Sequence, residues 1–146
     1  MRFPSLKLPA LLHTHKLVQR ALATQRFDQV LAQFKSRPLL EVQTQSNSVL
    51  AMFFTRWLRR YAGRFRRPSA CLDQAIALQY FLTEQGIAAV LKIGVKRSPF
   101  AAHAWIEVDG LPVLEPARIE RDFICFEQLP EGTIALLNPI KDLQRQ

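Results

Sequence analysis

Cysteine and histidine are the side chains whose protonation and nucleophilicity respond most readily near neutral pH. The sequence holds two cysteines, Cys71 and Cys125, and three histidines. Cys71 stands two residues after Ser69, a good helix N-cap, and opens a segment whose apolar stripe is Cys71, Ala75, Leu78 and Leu82. In the first turn of a helix, unpaired backbone N–H groups and the positive end of the dipole stabilise a thiolate. Such a position lowers a cysteine pKa from ~8.5 into the reactive range, and the Cys71 N–H becomes an oxyanion donor. Cys125, between aromatic neighbours Phe123 and Phe126, has instead the character of a small core residue.

His103 sits in Ala102-His103-Ala104-Trp105, where two alanines leave its ring uncrowded on a strand. Two acids compete to orient it. Asp109 is six residues on, about 20 Å away along a strand at ~3.4 Å per residue, and a turn aspartate beside Gly110 has a structural reason to be there. Glu115 lies beyond the turn. A three-residue loop, Val108-Asp109-Gly110 with Gly110 left-handed, places Glu115 opposite His103 on the same face. A two-residue turn at Asp109-Gly110 would place it opposite Ala104, on the other face. The register thus decides between the acids, and Glu115 is favoured. A thiolate at a helix head, an imidazole and a carboxylate would form a Cys71–His103–Glu115 triad for nucleophilic attack on a carbonyl.

Helical spacing marks residues 10–23, 27–34, 49–61 and 70–85, with a short extended arm at 1–9 and a polar connector at 41–45. Met52, Phe53 and Trp57 share a face of the third helix. Gly86 sits where a left-handed helix stop belongs. Beyond it the period changes to alternation at 88–96, then strands at 101–108 and 111–115, one at 123–126 and a short one at 133–136. The order predicts an α+β fold: a helical N-terminal half, then a helix packed on a small antiparallel sheet. At 146 residues a single domain is expected over 1–146, with a basic helical part at about 1–67 and the catalytic helix plus sheet at about 68–146.

Charge divides along the same line. Residues 1–68 carry 13 Lys/Arg against Asp28 and Glu41, whereas 69–146 carry 7 against 10 acids. Such asymmetry predicts an anionic partner for the first half. With 49% hydrophobic residues a core can form, which excludes wholesale disorder. Two cysteines exclude a disulfide-dense secreted scaffold, and no apolar run approaches the ~20 residues of a membrane span, so a soluble cytoplasmic protein is expected.

Cys71-Leu72 opening a helix, Gly86 ending it, Ile93-Gly94-Val95 in a strand and Ala102-His103-Ala104-Trp105-Ile106-Glu107-Val108-Asp109-Gly110 resemble the transglutaminase-like (papain/transglutaminase-like) cysteine peptidase family. Within it they resemble the stand-alone leader peptidases of lasso-peptide biosynthesis, the protease half of the split B protein. The resemblance covers about residues 65–117. Glu115-Pro116-Ala117 stands where that family usually carries an Asp-Pro-Thr-like motif, and Asp73-Gln74 stands where a basic or polar pair is common. The resemblance implies removal of a leader from a ribosomally made precursor, with no cofactor and no metal. It also implies a small leader-recognition protein and a macrolactam-forming cyclase as partners.

The basic side chains Arg56, Arg59, Arg60, Arg64, Arg66 and Arg67 are the expected docking surface, with Trp105 a further substrate contact or a wall of the cleft. Arginines interleaved with Trp57 and Phe65 also admit a nucleic-acid-binding module, but no helix-turn-helix, zinc-finger or RNA-binding signature accompanies them. Rival readings are a non-catalytic transglutaminase-like scaffold and, at the same thioester-forming site, an enzyme that transfers the acyl group to an amine instead of water. His13-Thr14-His15 lacks the i, i+4 spacing of helical metal pairs. Gln43, Gln45 and Asn47 are equal candidates for a second oxyanion donor.

Overall fold

The computed structural model describes residues 7–34, 47–62, 71–97, 100–116 and 118–125. The connector at 41–45, the Ser69 cap, the basic run at 64–68 and the strand at 133–136 lie outside the described residues. Four helices come first: α1 (Leu8–Thr24), α2 (Phe27–Gln33), α3 (Asn47–Ala62) and α4 (Cys71–Glu84). Strands β1 (Ala89–Arg97), β2 (Phe100–Val108) and β3 (Leu111–Pro112) follow, then the one-turn helix α5 (Ile119–Asp122) and β4 (Ile124–Cys125). The fold is α+β, as the order of periodicities predicts. Among the described residues no helix is long and apolar enough to cross a membrane.

Helix α4 is the centre of the molecule. It packs against α1, α3, β1 and β2. Accordingly it is buried nearly all round, with Leu72, Ala75, Ile76, Ala77, Leu78, Phe81 and Leu82 in the core. It stops at Gly86, whose φ of 86° is left-handed; the Gly86 N–H bonds Thr83 O (3.0 Å) and the Ile87 N–H bonds Leu82 O (2.9 Å). That pair of bonds satisfies carbonyls the helix end would otherwise orphan. Helix α1 presents Leu11, His15, Val18 and Leu22 to the core, the i, i+4, i+7, i+11 stripe of an amphipathic helix. It begins earlier than expected because Pro9 fits the first helical turn, where no N–H is needed.

On α3, Met52, Phe53 and Trp57 share a face as expected, and it is the outer one. Ala51, Phe54, Thr55, Leu58 and Ala62 are buried, whereas Met52 and Phe53 are 40% and 37% exposed. Two alanines and a threonine make up three of these five positions, so the larger side chains of the outer face dominate a hydropathy reading.

The sheet is antiparallel in the order β3-β2-β1-β4. Gly94 of β1 lies opposite both His103 and Cys125. A Cβ there would stand 2.7 Å from Phe123 Cβ and 3.3 Å from the Trp105 ring, so only glycine lets β4 close over the aromatic cluster.

The β2–β3 hairpin corrects the expected register. Val108 pairs with Leu111 and Glu107 with Pro112, so the turn is the two-residue one, Asp109-Gly110. Both turn residues have positive φ, 55° and 77°, the twist-matched geometry for a tight hairpin. Nor does the second strand run to residue 115. After the Val113 N–H bonds Ile106 O (3.0 Å), Leu114 turns left-handed (φ 53°) and the chain leaves the ladder. Asn and Asp visit that region far more readily than Leu does, so nothing in the residue type announces the bend.

Candidate active site

The N-terminus of α4 brings Cys71 beside the sheet's second strand. Cys71, Gln74, Ala75 and Leu78 from α4, Thr55 and Arg59 from α3, and His103, Trp105 and Glu115 from the hairpin region line one cavity of about 280 Å³. His103 Nε2 donates to Glu115 Oε1 at 3.0 Å. The Cys71 side chain hydrogen-bonds the same imidazole.

Glu115 reaches His103 although the register places it on the wrong face. The left-handed Leu114 is what redirects it, and Arg59 fixes the result. Its Nη1 donates to Leu114 O (2.9 Å) and its Nη2 to Glu115 Oε1 (2.7 Å). One guanidinium therefore holds both the bend and the carboxylate in the two-pronged manner that arginine permits.

The imidazole is also held by its flat faces. Trp105 stacks on it with ring centres 5.8 Å apart and an interplanar angle of 21°, and Phe123 lies 5.8 Å away at 43°. His103 and Trp105 are two apart on one strand, hence on one face. Hydrogen bonding with Cys71, then with Glu115, raises the His103 pKa to about 9 against the opposing effect of burial. Burial alone would push Glu115 up. The hydrogen bond and charge of His103, with Arg59 behind them, outweigh it and hold the carboxyl below its usual range. The site thus favours an imidazolium beside a carboxylate.

Of the residues singled out in the sequence, Cys71, His103 and Glu115 come together. Asp109 does not: it sits at the hairpin tip and accepts from Ser48 Oγ at 3.2 Å. Trp105 is 2% exposed, so it is a wall of the cleft and not a surface contact. Arg59 belongs to this site and is committed to Glu115, which corrects its assignment to a docking surface. Arg56 and Arg60 lie on the exposed side of α3, and Arg64, Arg66 and Arg67 lie outside the described residues. Gln43 and Gln45 are also outside them, and Asn47 is buried and is not among the residues that line the cavity. Gln74, one turn beyond Cys71, does line it; the i, i+3 relation to the cysteine is the signal that points to it. For Arg59 there is no such signal, since three neighbouring arginines on one helix look alike.

Asp73 has a different task. It is buried, and its carboxylate accepts from Gln19 Nε2 (3.3 Å) and pairs with His15 Nε2 (3.2 Å). This ties α1 to the first turn of α4, two residues from Cys71. His15 is accordingly a buried partner of Asp73.

Residues 14–123 match the Transglutaminase-like superfamily. That span includes the whole cavity lining. The chain belongs to the transglutaminase-like superfamily. Among curated proteins it is similar to the microcin J25-processing protein McjB of Escherichia coli, with 45% identity over 42 residues. The match takes in 29% of this chain and 20% of McjB, so it spans a fifth of that relative's length. No solved structure matches.

Proposed function

We propose that the protein is a cysteine peptidase that removes the leader from a ribosomally made lasso-peptide precursor. The observation that carries this reading is His103 held between the Cys71 thiol and the Glu115 carboxylate at the head of α4. Similarity to a microcin-processing protein supports the choice of substrate class.

In this reading the thiol proton already rests on His103 as the imidazolium, and the Cys71 thiolate Sγ attacks the scissile carbonyl carbon. The Cys71 N–H, at the first position of α4, donates to the oxyanion. As the tetrahedral intermediate collapses, the C–N bond breaks and His103 gives its proton to the leaving amine. A thioester remains on Cys71. Water, losing a proton to His103, then attacks that carbonyl and releases the acid and the thiol. Glu115 keeps the ring oriented and its charge compensated throughout. A small recognition protein would present the leader, and a macrolactam-forming cyclase would use the freed amine.

The test is incubation of the protein with its co-encoded precursor and recognition partner, read by mass spectrometry. Loss of the leader with addition of water supports hydrolysis. A precursor left at full mass by the wild-type chain contradicts it, and a product mass showing transfer to an amine identifies acyl transfer instead.

A further inference from the structure

Helix α3 turns one face to the catalytic cavity and another to a separate groove. Thr55 and Arg59 line the cavity. Val49, Met52, Phe53, Arg56, Trp57 and Arg60 line a groove of about 500 Å³. Arg59 and Arg60 are consecutive, and successive helical residues point ~100° apart, so the groove lies around the side of a rod ~10–12 Å thick from the cavity. Its floor is apolar and open: Val49 is 68% exposed, and Met52 and Phe53 are each more than a third exposed. Trp57 is held flat against Tyr61, with ring centres 5.1 Å apart and planes 16° from parallel. Contiguous apolar surface of this kind on one helix marks a contact site, where single exposed side chains would not.

The groove also carries charge of one sign. Helix α3 has three arginines and no acid. Arg59 is neutralised by Glu115, whereas neither Arg56 nor Arg60 has an ion-pair partner among the described residues. An apolar floor flanked by two available guanidiniums matches a peptide with apolar side chains on one face and carboxylates beside them. A nucleic acid would use the charge and Trp57 but leave Val49 and Met52 against water.

We infer that this face of α3 is a docking groove for an acidic amphipathic peptide segment, seated so that the chain it belongs to continues around α3 into the catalytic cavity. Only that continuation rests on the peptidase reading; the groove's preference for its ligand does not.

The probe is a fluorescein-labelled peptide of about 14 residues, with leucines at helical i, i+3, i+4, i+7 spacing and glutamates elsewhere. Its binding to the full chain is followed by fluorescence anisotropy. Saturable binding is expected, weakened about tenfold or more by Arg56→Glu with Arg60→Glu and, separately, by Val49→Glu. It should weaken with added salt and be unchanged by Cys71→Ala, so that a failed peptidase reading would leave this result intact. All the groove changes are at exposed positions, and thermal melts identify any variant that does not fold. Equal binding by these folded variants would overturn the inference. So would equal affinity for an all-glutamate peptide or a single-stranded oligonucleotide of matched charge, which would show attraction by charge alone.

Discussion

Glu115 Oε1 lies 3.0 Å from His103 Nε2 although the hairpin pairs the strands in the register that sends residue 115 to the opposite face. The contact exists because Leu114 leaves the ladder at a φ of 53°. Orientation of the imidazole therefore depends on a bend as well as on a carboxylate.

Glu115→Gln keeps the shape but loses the charge that compensates an imidazolium. Turnover is expected to fall ~10²-fold or more, within the range for a lost acid–base function. Asp109→Asn, at the exposed hairpin tip, should leave turnover within about twofold. Steady-state kinetics on the two variants decide between the acids; a larger loss for Asp109→Asn would contradict the geometry.

Arg59 joins Leu114 O to the carboxylate of Glu115. Arg59→Met removes a cation from Glu115, so the carboxyl pKa rises and the acid limb of kcat/KM should move to higher pH. Arg59→Lys restores a charge without the two-pronged grip, and should recover the acid limb better than the maximal rate. A pH–rate profile of both variants separates these effects. A loss with no movement of the limb would assign Arg59 to packing.

The site's histidine titrates far above its ordinary range, at about 9 instead of 6.5. Catalysis needs imidazolium to protonate the leaving amine, so kcat/KM should fall as pH rises through about 9. Stability follows the same sign. The folded state binds this proton more tightly than the unfolded chain, so the contribution is full below 6.5 and is lost as pH rises through about 9. Glu115 has the opposite sense: its lowered pKa contributes stability above 4.5, lost as pH falls through the folded value. Thermal melts across pH, compared with His103→Gln, check the alkaline part; identical slopes for the two proteins would contradict it.

His15→Ala removes one partner of the buried Asp73 carboxylate and leaves its contact with Gln19 in place. Loss of a charge-assisted hydrogen bond at such a site costs ~1.5–3 kcal/mol, to be read from urea unfolding. A change below about 0.5 kcal/mol would mean that α1 does not depend on this pair.

How much of this is legible in the sequence depends on how local the cause is. Helices α1, α2 and α4 follow from periodicity and from Gly86, and Cys71 at a helix head follows from the same spacing. His103 beside Trp105 is visible as a strand pattern, because alternation needs no knowledge of the rest of the fold. The bend that delivers Glu115 is not legible, since Leu114 has no preference for positive φ and is held there by Arg59, 55 residues away in sequence. Arg59 itself differs from Arg56 and Arg60 only through the packing of α3, whose buried stripe is made partly of alanine and threonine. The pairing of Asp73 with His15 spans 58 residues and is likewise a property of the folded chain.

The proposed chemistry requires Cys71 to be activated by His103, and Cys125 to be an ordinary strand cysteine. Neither thiol is in a disulfide and each is half-buried, so accessibility alone does not separate them. Iodoacetamide labelling at neutral pH, followed by peptide mass mapping over time, measures each directly. Cys71 should alkylate far faster than Cys125, and His103→Ala should abolish the difference. Equal rates in the wild-type protein, or a Cys71 rate indifferent to His103, would contradict the account.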